Sequence, residues 1–419
     1  MKVLIVGSGG RESAMVWSVS QRPDIEIFCA PGNAGIAEYA TCYPSVKATD
    51  IDELLKIAHE EQIDLTIVGP EAPLVAGIVD RFREHDLLIY GPSKEVARAE
   101  GSKAWFKDLL TKYGIPTAPY EVFSDYEYAI DSVLKRGASN IVIKADGLMG
   151  GKGVTLPDTT VSASNDLERL MVPGGPGEKV VIEDRLFGVE RSVMALVDGK
   201  TIYMLPFTQD YKRVGDGDTG LNTGGMGAHT LTLPEDEERQ LTQILYDVVS
   251  AFDQEGHPYT GFLYLGIMMT DSGPMVLECN CRLGDPETQV ILPCITGDFT
   301  SYCMNAAQGN LGALDPPLQY FEALCIVFAS GAYPGSSAQD DCIEGLDEPR
   351  SSDALIFHAG TALNGRCVTT NKAGRVLNVV GRGLRLREAH SIAYTIAEQI
   401  HFPGKKYRSD IGAGVVCSN

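Results

Sequence analysis

The sequence lacks most features that would set it apart from ordinary globular proteins. Its ten cysteines are scattered and form no C-x-x-C pair. "CNC" (279–281) has no second Cys or His cluster at zinc spacing, so ten reduced thiols, mostly in cores, are expected. No apolar run approaches the ~18 residues of a membrane span. The opening "MKVLIVGSGG" is a strand interrupted by a glycine turn, too short for a signal peptide, so a cytoplasmic setting is expected. A basic excess is missing as well. The net charge of −21 and pI near 4.7 argue against a general binder of nucleic acid or anionic membrane. A phosphate-bearing ligand would then need a local basic or amide-rich patch. Internal repeats and low-complexity tails are also absent.

What is present is a chain of 419 residues, 44% hydrophobic and 22% charged. That length is too great for one typical domain and predicts two to four. Strand and helix patterns alternate from 1 to about 100, through "KVLIVG", "RESAMVWSVSQ", "IEIFCA", "DIDELLKIAHEEQ", "LTIVG" and "LLIYG". This predicts an N-terminal, Rossmann-like doubly wound parallel sheet over 1–100. Ligands in such sheets bind beyond the carboxyl ends of the strands, where "GSGGRES" (7–13), "APGNAG" (30–35) and "GPEAPL" (69–74) fall. The first of these turns is a poor dinucleotide fingerprint. Glu12 replaces the third glycine, and "CAPGNAG" lacks the acidic ribose ligand. A small phosphorylated ligand fits better, held by helix-start amides and Arg11. A plain tight turn fits equally well.

Beyond residue 100 the pattern changes to α+β. "GSKAWFKDLLTKYGIPT" reads as a helix stopped by Gly114 and Pro116, and hairpin-like strands follow from 140 to 210 and at "FLYLGIMMTDSGPMVLECNCR". Pro316-Pro317 marks a boundary. The expected architecture is a two-part central domain over 101–315, with a flap subdomain at about 118–190, and a small C-terminal α+β domain over 316–419. In the latter, "ALCIVFAS", "ALIFHAG" and a hairpin around "TNKAGRVLNVV" precede the helix "RLREAHSIAYTIAEQI".

Three stretches carry candidate chemistry. "KADGLMGGKGVTLPD" (144–158) suggests a Walker A loop, but Asp146 takes the first glycine position and Gly153 stands where Ser or Thr is required. The loop joins two antiparallel strands rather than feeding a helix, and taken alone it also fits an ordinary hairpin. In "VLECNCRLGDPE", strand alternation puts Glu278, Asn280 and Arg282 on one face and Cys279 and Cys281 on the other. A carboxylate beside an amide oxygen suits Mg²⁺ shared with phosphates, and an arginine one step on suits a phosphoryl group in transfer. "VVIEDRLFGVERS" (180–192) offers Glu183 and Glu190 at a strand end, where backbone groups and a carboxylate can meet adenine and ribose. Lysines such as Lys103 and Lys144 are usually surface charges, but Lys144 ends the apolar run "IVI" directly before the glycine loop.

In this order the parts resemble the ATP-grasp superfamily, in which two α+β subdomains clamp MgATP. Within it the chain is similar to the phosphoribosylamine–glycine ligase family along nearly its whole length. The matching blocks include "GSGGRE", "IDLTIVGPEAPLVAGIVD", "EGSKAWFK", "DYKRVGDGDTG", "NTGGMGA", "ECNCRLGDPETQ", "FHAGT" and "GRVLNV". The resemblance implies that the central domain is an ATP-grasp domain and that the reaction joins glycine to 5-phosphoribosylamine with ATP. It implies ATP contacts from Lys103, Lys144, Gly147, Gly150, Gly151, Lys152, Gly153, Glu183, Leu186 and Glu190. Mg²⁺ (or Mn²⁺) would sit on Glu278 and Asn280, with Arg282, Lys212 and Asp285 in catalytic roles, Asp285 holding the glycine ammonium. Gly9, Gly10, Arg11, Asn33 and Glu71 would receive the amine. Asp210, Asp218, Asn222, Thr223, Gly224 and Gly225, in and beside a closing loop, would also bind substrate. No nucleic acid, no membrane and a monomer or weak homodimer are expected. Three positions depart from the usual family residues: Ser13 and Tyr211 stand for histidines, and Leu221 for a proline. Rival readings are an ATP-grasp ligase for a different amine and carboxylate, a non-catalytic nucleotide-binding regulator, and, less favoured, a dinucleotide oxidoreductase.

Overall fold

The computed structural model describes residues 1–150, 153–335, 340–371 and 374–416. Its first ninety residues form five parallel strands in the order β3-β2-β1-β4-β5. These are β1 (Lys2–Gly7), β2 (Glu26–Pro31), β3 (Thr41–Cys42), β4 (Leu65–Val68) and β5 (Ile89–Tyr90). Helices α1 (Gly10–Ser20), α2 (Ile51–Glu60), α3 (Glu71–Ala76) and α4 (Ile78–Glu84) connect them. Both sheet faces are covered, which is why Val3, Leu4, Ile5 and Val6 run as one fully buried apolar stretch. Next come α5 (Lys94–Gly101) and α6 (Lys103–Lys112), each started by a serine whose hydroxyl accepts from a first-turn amide: Ser93 from Val96 and Ser102 from Trp105.

A four-stranded antiparallel sheet in the order β6-β9-β7-β8 follows. It comprises β6 (Tyr120–Phe123), β7 (Ile141–Ala145), β8 (Val154–Thr155) and β9 (Val180–Asp184), backed by α7 (Tyr126–Arg136) and α8 (Thr160–Leu170). Ile141, Ile143, Val180 and Ile182 pack with Val133 and Leu167 into a core of their own. The opposite face of the same strands carries Lys144 and Glu183, because residues two apart share a face.

The chain then enters a nine-stranded sheet: β10 (Val189–Asp198), β11 (Ile202–Met204), β12 (Thr208–Asp210), β15 (Gly227–Thr230), β16 (Thr260–Thr270), β17 (Gly273–Asn280), β18 (Glu322–Ala329), β19 (Ala354–His358) and β22 (Arg375–Gly383). Between these strands lie the hairpins β13 (Arg213–Gly215) with β14 (Thr219–Asn222) and β20 (Thr361–Asn364) with β21 (Cys367–Thr370). The helices here are α9 (Glu235–Gln254), α10 (Thr288–Ile291), α11 (Phe299–Ala307) and α12 (Leu386–Gln399). The sheet runs across Pro316-Pro317, since β15 pairs with β18, so the C-terminal strands extend the central sheet.

Two expectations are corrected. The hairpin read around "TNKAGRVLNVV" does not form, because β22 is flanked by β18 and β19 and β21 pairs with β20. A long apolar strand takes the interior position, and the shorter, more polar one is left to a surface hairpin. Second, the cysteines are not all thiols. Cys342 and Cys367 form a disulfide, with Cα atoms 6.0 Å apart, on segments that the Ile343 amide already joins by donating to the Val368 carbonyl. Seven others are free, and Cys417 lies outside the described residues.

Candidate active site between the flap and the central sheet

A cavity of about 520 Å³ opens between the polar face of the flap and the sheet edge formed by β16 and β17. Lys144 reaches across it. Its ammonium pairs with Glu183 at 2.6 Å and donates to the Leu277 carbonyl at 2.9 Å. That carbonyl is available because β17 bulges: Glu278 faces Gly266 and Val276 faces Ile267, so Leu277 is the extra residue. Glu183, 2% exposed, also pairs with Lys107 of α6. Burial opposes its charge, but the two lysines outweigh that and lower its pKa. Glu183 does lie at the end of β9 and lines the cavity, and there it is the buried counter-ion of Lys144 and Lys107. Burial likewise brings Lys107 down to about 8. Lys107 closes the block "EGSKAWFK", but nothing in that block gave it a role.

The first part of the glycine loop is tied to the start of α6. The carboxylate of Asp146 accepts from the Ala104 amide (2.7 Å) and the Ser102 hydroxyl (3.0 Å), a favourable place for a negative charge. This is what an aspartate does at the position where a Walker loop has glycine. Gly147 is pressed against Pro176 and receives Lys103, whose ammonium donates to its carbonyl at 3.3 Å. Gly150, at φ +56°, has open space where a Cβ would be. Gly150, Gly153 and Leu186 line the cavity, whereas Gly151 and Lys152 lie outside the described residues.

Glu278 faces the same cavity. Burial raises the cost of its charge, but Lys212, Lys144 and Lys103 more than compensate, and its pKa falls to about 2. The Asn280 amide donates to Glu278 Oε1 at 3.4 Å, and its own oxygen accepts from Arg282 at 2.9 Å. Among the described residues no group of three or more His, Cys, Asp and Glu gathers as a metal cage. An ionised carboxylate beside one amide oxygen, ringed by lysines, fits a divalent ion that shares its shell with phosphate oxygens. It does not fit an ion held by protein alone. Arg282 is braced from behind by Glu71 (3.4 Å) and Glu100 (3.2 Å). Burial raises Glu100 to about 7, and its other oxygen accepts from the Cys281 amide. Glu190 pairs with Lys212, and burial followed by Glu287 pushes Asp210 well up.

A second cavity of about 170 Å³ adjoins the first, with Asp285 and Arg375 in both walls. Its remaining lining comes from the first domain's turns (Ser8, Gly9, Gly32, Asn33) and from Ala359, Gly360 and Asn371. Arg375 lies in the block "GRVLNV", but its partners Asp285 and Gly224 are far away in sequence, so that block gave it no role. It bonds the Asp285 carboxylate (3.0 Å) and the Asp285 and Gly224 carbonyls (2.7 Å each). Asp285 therefore already has a cation at one oxygen, and Gln289 donates to the other at 2.6 Å.

The structure alters three expectations for the amine side. The Gly9 amide donates to the Glu12 carboxylate at 2.5 Å, and that side chain fills the space beside Gly7 and Gly69. Gly10 is packed against Asn378 and Gln289. Arg11 pairs with Glu12 at 2.7 Å and donates to the Leu283 carbonyl at 3.0 Å, so it faces the larger cavity. A phosphate cradle of Gly9, Gly10 and Arg11 is not what this turn offers. Asp218 is exposed and held by Arg408 at 2.7 Å, and it lines neither cavity. Asn222, Thr223 and Gly224 do reach the larger one. Gly225 sits behind them against Pro286 and Asp210. Of the three departures, the Ser13 hydroxyl accepts from the His358 amide (3.1 Å), Tyr211 packs beside His229, and Leu221 is exposed.

A small antiparallel flap and a larger sheet, facing each other across a cleft walled by lysines and an ionised E-x-N-x-R edge, define a nucleotide clamp of the ATP-grasp class. Three domain models described as phosphoribosylglycinamide synthetase match the chain: the N domain over 1–100, the ATP-grasp (A) domain over 101–288 and the C domain over 323–414. Phosphoribosylamine–glycine ligases from Vibrio cholerae and Yersinia pestis are 43% and 44% identical, with 98% of each chain covered. The crystal structure of the Thermotoga maritima phosphoribosylamine–glycine ligase superposes with a TM-score of 0.86 at 36% identity, covering 98% of this chain and 100% of that one. Biotin carboxylase from Campylobacter jejuni, at 13% identity and a TM-score of 0.76 over 97% of this chain and 92% of its own, shares the fold alone. The chain belongs to the phosphoribosylglycinamide synthetase family. ATP use with a divalent metal comes with that membership.

Proposed function

We propose that the chain joins glycine to 5-phosphoribosylamine through glycyl phosphate, giving glycinamide ribonucleotide, ADP and phosphate, a step of purine biosynthesis. Full-length similarity to ligases of that name supports this reading. The observation that carries it is the junction of two cavities at Asp285 and Arg375, one sized for a nucleotide and one for a smaller polar ligand. A carboxylate is a poor electrophile. Its oxygen attacks the γ-phosphate, ADP leaves, and the resulting acyl phosphate is attacked by the amine, which displaces phosphate and forms the amide. Lys103, Lys144 and Arg282 balance charge along the phosphates in the first step. Glu278 and Asn280 would hold Mg²⁺ or Mn²⁺, which supplies further charge neutralisation there.

The ribose phosphate of the amine belongs in the smaller cavity, where Arg375 is the cation and glycine turns bring backbone close. Asp285, kept ionised against its burial by Arg375 and then Arg11, is placed to meet an ammonium between the two cavities. The division at 1–100, 101–315 and 316–419, a monomer or weak homodimer and a cytoplasmic setting belong to the same proposal. No described helix is long and apolar enough to cross a membrane. The test is ADP release with glycine, with and without freshly made phosphoribosylamine, against other amines and amino acids. Sustained ADP release, beyond one equivalent per enzyme, should require both glycine and phosphoribosylamine. Equal release with another pair would make this a ligase of the same class for different substrates.

A further inference from the structure

Arg408 lies after α12, far in sequence from the cavity, yet it is 1% exposed. Its guanidinium is fully engaged with the β13–β14 hairpin and its own segment. It donates to the Arg213 carbonyl (3.1 Å) and the Asp218 carboxylate (2.7 Å), and it forks onto Asp410 with two bonds of 2.7 Å. Asp410 in turn accepts from the Gly217 amide at 2.8 Å. Asp216 accepts from the Ser409 amide at 2.9 Å and from the Ser409 hydroxyl. Tyr211 completes the joint. Its ring centroid lies 4.9 Å from the guanidinium carbon, and its hydroxyl accepts from the Gly412 amide at 3.0 Å. Tyr211 is one of the departures from the usual family residue, and the phenol's length is what lets it reach this segment. The hairpin is thus clasped at its first strand and at its turn, and Lys212, just before the clasped span, and Asn222, at the far end of β14, line the larger cavity.

We propose that Arg408 is a positioning residue for amide-bond formation: the C-terminal clasp fixes the β13–β14 hairpin so that Lys212, Asn222 and Thr223 face the reacting groups. The proposal rests on the ligase reading above. It assigns Asp218 to the clasp in place of the substrate contact expected from sequence. Most nucleotide contacts sit on other elements, and Lys212 meets that side through its pair with Glu190, so the clasp acts chiefly on turnover and on the acceptor side and only weakly on ATP binding. A buried, forked guanidinium is poorly replaced by a single ammonium, so lysine restores only part of the geometry.

The test compares the full chain with Arg408→Met, Arg408→Lys and the surface variant Asp216→Ala/Asp218→Ala, which weakens the clasp without touching its buried member. Arg408→Met should lose at least about tenfold in kcat and raise the KM for glycine or the amine. Binding of a non-hydrolysable ATP analogue, measured by calorimetry, should stay within about twofold. Arg408→Lys should recover part of the kcat, and the surface pair should show the same kcat-weighted loss to a smaller degree. Trypsin should cut after Lys212 or Arg213 faster in the weakened variants than in the wild type, a readout that needs no substrate and separates a failed clasp from a failed ligase assignment. Unchanged kcat and KM in all variants, or an unaltered trypsin pattern, would overturn the proposal. So would a loss of nucleotide binding equal to the loss of turnover. If Arg408→Met does not fold, Arg408→Lys and the surface pair decide it.

Discussion

Two glycine-rich stretches approach the same cavity, and they are held in opposite ways. The flap loop is anchored at its first residues, where Asp146 accepts from the start of α6 and Gly147 packs on Pro176. By Gly150 it has positive φ and open space around it. The stretch from Tyr211 to Gly225 is pinned along its length by Arg408, Asp410, Ser409 and Tyr333. At Gly225, φ is +112° and a Cβ would run into Pro286 and lie 3.0 Å from Asp210 Oδ1. The same residue type therefore serves ligand access in one loop and close packing in the other. Composition did not separate them; what stands beside each glycine does.

The largest effect should come from the residue that both loops face. Glu278→Gln keeps shape but removes the charged oxygen that three lysines hold ionised, so turnover should fall at least about 100-fold, with little change in melting temperature. Near-normal turnover with the same metal requirement would remove Glu278 from the metal site. Next, the two glycines should part company. Gly225→Ala should destabilise the unliganded protein by roughly 2 kcal/mol or more, because the backbone is strained and the space is filled. Gly150→Val should leave the unliganded melting temperature within about 2 °C of wild type and raise the KM for ATP several-fold. Thermal melts and nucleotide titrations on both variants check this pair. Equal melting losses would erase the distinction between the loops.

The smallest effect concerns pH. Burial raises the folded pKa of Glu100 from 4.5 to about 7, so its contribution to stability is fully present below about 4.5 and is lost as pH climbs through 7. The melting-temperature advantage of the wild type over Glu100→Gln should therefore shrink between pH 4.5 and 8. A constant difference across that range would mean that Arg282 keeps Glu100 ionised throughout.

Much of the scaffold was legible in sequence because it rests on local patterns. Alternating strands and helices predicted the parallel first sheet. The apolar face of "IVIKA" and the spacing of Glu278, Asn280 and Arg282 followed from the two-residue period of a strand. Lys107 and Arg375 fall within the blocks "EGSKAWFK" and "GRVLNV", but their roles, like that of Arg408, were not legible, because a single basic residue on a helix or strand reads as a surface charge. Each becomes informative only when a distant carboxylate, Glu183, Asp285 or Asp218, is folded against it. The Cys342–Cys367 pair and the partners of β22 were hidden for the same reason.

By itself the sequence determined the family, the order of the elements and the chemical types that meet a nucleotide, since period, turn chemistry and motif spacing are properties of neighbouring residues. Tertiary structure alone decided three other matters. The Gly9 amide is already used by Glu12, two cavities meet at Asp285 and Arg375, and the hairpin after Lys212 is held by the last segment of the chain. Each depends on which charge ends up buried beside which. Burial in a low-dielectric interior makes a partner obligatory, and chain topology chooses it from a distance that local pattern does not span.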